Sequence, residues 1–125
     1  MYDISFFEGG SMAELDSTEN RKKMCQIYNE LSKELFGFGT TLLRVTVDQR
    51  VITFHAKHRR SPRSTALEGE APELKQEVDF RMSLLFKKKF KERLEDEMGL
   101  NIEVLLRDYD APTQWAFTNM VLAGE

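Results

Sequence analysis

A chain of 125 residues with 41% hydrophobic and 31% charged side chains has the length and balance of one globular domain with its own core. Its 18 basic and 21 acidic residues leave a formal charge of −3, so nothing in the global electrostatics calls for a nucleic acid or another polyanion. A single cysteine, Cys25, excludes an internal disulfide and suits a reducing compartment, and no apolar run approaches the ~20 residues of a spanning helix.

The first stretch, "MYDISFFEGGS" over residues 1–11, stands apart from the domain expected over 12–125. "GGS" is linker-like, and both an ordinary extension and a tethered peptide fit it. The tethered alternative places Ile4, Phe6 and Phe7 in a groove or at a sheet edge of the domain. No basic segment precedes an apolar one here, so no signal peptide is expected and a soluble, cytoplasmic protein is the default.

From Asn20 to Phe36, apolar residues at Met24, Ile27, Tyr28, Leu31, Leu35 and Phe36 keep the spacing of one helix face. Asp16, Ser17 and Thr18 offer capping oxygens, and Gly37 ends the helix. "TTLLRVTV" and "VITFHA" then alternate with period two around "DQR", which predicts a hairpin. "KHRRSPR", Lys57 to Arg63, opens a loop that turns acidic at Glu68, Glu70 and Glu73. A longer amphipathic helix follows from about Glu73, marked by Leu74, Val78, Met82, Leu85, Phe86, Phe90, Leu94 and Met98 and closed by Gly99. "NIEVLLRD" and "QWAFTNMVL" read as a second hairpin.

At a constant offset of 63, Ile27 matches Phe90, Leu31 matches Leu94, Arg44 matches Arg107 and Phe54 matches Phe117. The expectation is an α+β fold built from a duplicated α-β-β unit (αββαββ), with a four-stranded antiparallel sheet and two helices on one face. The other face would carry Leu42, Arg44, Val51, Thr53, His55, Glu103, Leu105, Arg107, Thr118, Met120 and Leu122. Such a mixed face suits a homodimer or a protein partner.

Reactive groups are scarce. His55 and His58, three apart on a strand, face opposite sides and cannot share an ion without a bend. Cys25 has no base beside it, and "GFG" at 37–39 follows a helix, the wrong order for a phosphate loop. The charge run from Lys87 to Glu97 reads as a solvated face, not a nucleic-acid helix. Neither a catalytic constellation nor a cofactor or metal is expected. The remaining candidates are cations: Arg44 and Arg107 as a clamp for one carboxylate or phosphate, His55 beside them, and Arg59, Arg60 and Arg63 toward an acidic partner or lipid headgroups.

The chain from about Asn20 to Leu122 resembles the MpsC-like family in "LSKELFGFG", "LLRVTVDQRVITFHA", "SPRSTAL", Arg81 within "EVDFRMSLL", and "MGLNIEVLLRDYDAPTQWAF". Pro62 and Leu67 fit that family's turn, whereas Arg63 and Ser64 depart from its small and acidic residues. The resemblance implies a cytoplasmic component of a sodium-translocating, membrane-potential-generating system; the scarcity of reactive groups makes the expectation a non-enzymatic accessory module, and the lack of a spanning run leaves at most peripheral membrane contact. A sensor of small anions using Arg44 and Arg107 is the alternative.

Overall fold

A computed structural model of the chain describes residues 15–59 and 61–124. The expected docking of Ile4, Phe6 and Phe7, and the contribution of Arg60, lie outside the described residues.

Helix α1 (Thr18–Phe36) begins at Ser17, whose side chain accepts the Asn20 N–H at 3.1 Å. It stops at Gly37, which adopts φ 88° and donates its N–H to the Lys33 carbonyl at 3.0 Å. Strands β1 (Thr40–Asp48) and β2 (Val51–His58) form the first hairpin. Where a loop was expected, helix α2 (Pro62–Glu70) follows: Ser61 accepts the Ser64 N–H at 3.0 Å, and Pro62 fills the first turn, where no N–H is needed. Pro72 then starts helix α3 (Pro72–Met98), closed by Gly99 at φ 67°. Strands β3 (Ile102–Asp110) and β4 (Trp115–Leu122) complete the chain.

The four strands make one antiparallel sheet in the order β1-β2-β4-β3. Ile52, Phe54 and Ala56 of β2 and Met120 and Leu122 of β4 join Met24, Ile27, Tyr28 and Leu31 of α1 and Phe86, Phe90 and Leu94 of α3 in one core. Tyr28 stacks on Phe54 at 5.7 Å, and Phe90 meets Phe54 edge-on at 5.0 Å. Across the helices, Arg93 of α3 bonds Glu30 of α1 at 2.9 Å and its own neighbour Glu97 at 2.6 Å, while Lys89 reaches Glu34. Part of the charge run expected to be merely solvated therefore pairs the two helices.

Two expectations change. The apolar stripe of α3 was expected to be buried along its length, yet Leu74, Val78 and Leu85 are 53%, 40% and 37% exposed. Helix α1 has 19 residues and α3 has 27, so at 1.5 Å per residue α3 outruns its neighbour by roughly 12 Å. The second change concerns side-chain direction. Paired residues of antiparallel strands share a face, and Phe54 pairs with Thr118, which pairs with Arg107. Leu105, Arg107, Thr118, Met120 and Leu122 thus lie on the same face as Phe54, not opposite it, while Leu106 and Phe117 are exposed. An offset of 63 places Arg107 with Arg44, but a slip of one residue turns every side chain over. The outer face instead carries Arg44, Val51, Thr53, His55, Leu106, Asp108, Phe117 and Asn119.

Candidate functional site

At the end of the inner face marked by His58, Arg107 and Tyr109, the strands present small side chains: Ala56 pairs with Ala116, and Ala116 with Tyr109. The C-terminal turn of α1 brings Phe36 to this end, α3 brings Val78, Asp79, Met82 and Ser83, and α2 brings Ser64 and Leu67. Together they enclose a cleft of about 370 Å³ whose walls are largely apolar. That volume is within the range of small-molecule sites.

Arg107 is the centre of the cleft. Its guanidinium carbon lies 4.6 Å from the centroid of the Phe86 ring, 5.6 Å from Phe36 and 5.7 Å from Tyr109. One terminal nitrogen donates to Ser83 Oγ at 2.7 Å, and the other lies 3.3 Å from His58 Nε2. Guanidinium nitrogens only donate, so Nε2 is the unprotonated ring nitrogen, and the Tyr28 hydroxyl, 2.9 Å from it, donates to it as well. Burial first, and the Arg107 charge second, push the His58 imidazole down to about 4, so it is neutral at physiological pH. Burial likewise pushes the Tyr28 phenol up, with Arg107 opposing.

The charge balance of the cleft is unequal. Arg59 and Arg63 line it beside Arg107, and Asp79 is the single acid among the lining residues. Asp79 is already engaged by Lys75, a lysine only 5% exposed one helical turn earlier. No carboxylate lies within 4.0 Å of Arg107 among the described residues, and its Nε is buried without a hydrogen-bond partner there. A half-buried cation lacking an anion attracts one, because the aromatic faces around it offer far less than a charged, bidentate acceptor.

The expected cations are thus divided. Arg59, Arg63 and Arg107 come together in the cleft. Arg44 is exposed on the outer face, so the Arg44–Arg107 clamp does not form. His55 also faces outward, where it lies 4.8 Å from the Phe117 ring. Arg81 lies on the exposed part of α3 and bonds Glu77 at 3.0 Å. Cys25 is half-buried, and burial pushes its thiol up, which makes it a weaker nucleophile.

Sequence reasoning passed over Tyr109 and Ser83, weighed His58 only as half of a metal pair, and took Phe36 and Phe86 only as residues of apolar helix faces. His58 had a readable signal, since it continues the even-numbered alternation of Ile52, Phe54 and Ala56. Comparisons with family models, curated proteins and solved structures gave no match.

Proposed function

We propose that the protein binds a small amphipathic anion, a carboxylate or phosphate carried on an apolar body, in the cleft around Arg107. The observation that carries this is a half-buried guanidinium, ringed by Phe36, Phe86 and Tyr109, with no carboxylate partner among the described residues. Arg107 would take the anionic head, Arg59 and Arg63 would draw it in, and Leu67, Val78 and Met82 would cover the apolar part. Binding is favoured over turnover because His58 is a poor general base: its lone pair is shared by Tyr28 and Arg107, and its pKa is far below neutrality.

Beneath this reading lies an inferred duplication. Gly37 and Gly99 stand 62 residues apart, and β2 and β4 begin 64 apart at Val51 and Trp115, so the halves align with a longer turn in the second. At those offsets Met24 aligns with Phe86, Tyr28 with Phe90, Ile52 with Ala116 and Phe54 with Thr118, all buried. Both long helices would then cover one face of the sheet.

Thermal-shift screening with homologous carboxylates and phosphates tests the function. An anion at one hundred times its Kd stabilises the fold by ~2.7 kcal/mol. Arg107→Met, which keeps an apolar contact on Phe86, should abolish that stabilisation. If no anion in either series raises the wild-type midpoint, the proposal falls.

A second reading, an accessory module docking on another protein, has its own observation: Leu74, Phe80 and Leu84 of α3 are 53%, 62% and 45% exposed. Charges placed at Phe80 and Leu84 should abolish co-purification with that protein, and unchanged co-purification would remove this reading.

A further inference from the structure

The outer sheet face is apolar in part and charged at its two edges. Leu42, Val51, Val104, Leu106 and Phe117 are 37–57% exposed there. The strand register puts Arg44, His55, Phe117 and Asp108 in a single row across the sheet. Because β1 and β3 are the edge strands, this row begins with a cation and ends with an anion. Both are exposed, and neither has a hydrogen bond or ion pair among the described residues.

The geometry points to a second copy of this chain as the occupant of that face, related by a two-fold axis that runs along the strands. Such an axis lays β1 of one copy over β3 of the other, and β2 over β4. Arg44 then meets Asp108 of the second copy at one edge, and the symmetry repeats the pair at the other edge. His55 of each copy lies over Phe117 of the other in the middle of the row, and Val51 over Val121 extends the apolar contact. A two-fold axis across the strands would stack Arg44 on Arg44 and Asp108 on Asp108, which like-charge repulsion disfavours. The edge charges therefore select one of the two ways in which the sheets can pack. Aligned packing of twisted sheets tolerates this arrangement.

The prediction is read by mixing. Arg44→Glu alone gives two acid–acid edges in the dimer, and Asp108→Arg alone gives two base–base edges. Each variant by itself should weaken dimerisation by about tenfold or more, because both edge pairs turn repulsive at once. A mixed dimer of the two variants has complementary edges throughout. Equal amounts combined should therefore recover the wild-type dimer affinity within about threefold, as measured by sedimentation equilibrium. Recovery on mixing also shows that both variants are folded. Should either reversal unfold the chain, Arg44→Cys and Asp108→Cys chains, mixed and treated with a bis-maleimide of about 10 Å span to match the sheet spacing, must give a cross-linked heterodimer, while neither cross-links through that position alone. A wild-type protein that is monomeric at all concentrations overturns the inference, as it does if another molecule fills this face. So does a dimer indifferent to both reversals, which would place the contact elsewhere, such as on the exposed start of α3.

Discussion

Acidification from pH 6.5 to pH 4 perturbs the centre of the cleft most selectively. The folded His58 imidazole titrates at about 4, whereas an unfolded histidine titrates near ~6.5. Between those values the unfolded chain holds a proton that the folded chain lacks, so stability rises with pH across the window. The contribution is complete above the unfolded value, is lost as pH falls through the folded one, and adds no slope below it. A gap of about 2.5 pH units at ~1.4 kcal/mol each is worth about 3–4 kcal/mol. Carboxylates also titrate toward the acid end: Glu97 is held low by its bond to Arg93, so its support is lost on protonation as well. Urea unfolding followed by Trp115 fluorescence at stepped pH should therefore be run on wild type and on His58→Gln, and the two curves subtracted. The difference should decline by about 3–4 kcal/mol over the window. Following the ring by NMR gives the pKa itself, and Arg107→Met should raise it while leaving it below ~6.5, because burial is the larger cause and survives. Parallel acid profiles for the two proteins, or a wild-type pKa near ~6.5, would refute the reasoning.

Other expectations are simpler to check. Phe90 is fully buried and touches Tyr28, Phe54 and Phe86, so Phe90→Ala should cost about 3–5 kcal/mol in denaturant unfolding. Gln49 sits at φ 55° in the β1–β2 turn, a conformation costly for a side chain; Gln49→Gly should raise the thermal midpoint by about 2–4 °C. A fall in the midpoint would mean that the Gln49 side chain makes a compensating contact.

Much of the architecture was legible in the sequence. Capping chemistry at Ser17 and Gly37, the spacing of Met24, Ile27, Tyr28 and Leu31, and the alternation of Ile52, Phe54 and Ala56 each depend on neighbours close in the chain. The faces of β3 and β4 were not legible. In "EVLLRDYD" Val104 and Leu106 alternate as convincingly as Leu105, Arg107 and Tyr109, and only the pairing with Thr118 and Ala116 decides between them. Phe117, aligned with Phe54 at an offset of 63, suggested the core, yet small Ala116 and Thr118 face it. Helix α2 was hidden by the basic cluster that precedes it, since nothing on that helix is buried and periodicity had no face to follow. The cleft follows from all three: reading Arg107 outward separated it from His58, its neighbour in space.

A single titration decides the central claim. A medium-chain carboxylate and its neutral primary amide, equal in shape, are added in turn to isotope-labelled protein while NMR signals are followed. Saturable shifts at His58, Ser83, Leu67 and Tyr109, caused by the carboxylate alone and lost in Arg107→Met, are the predicted result. Equal responses to acid and amide, or shifts confined to Phe117 and Asn119 on the outer face, would contradict it.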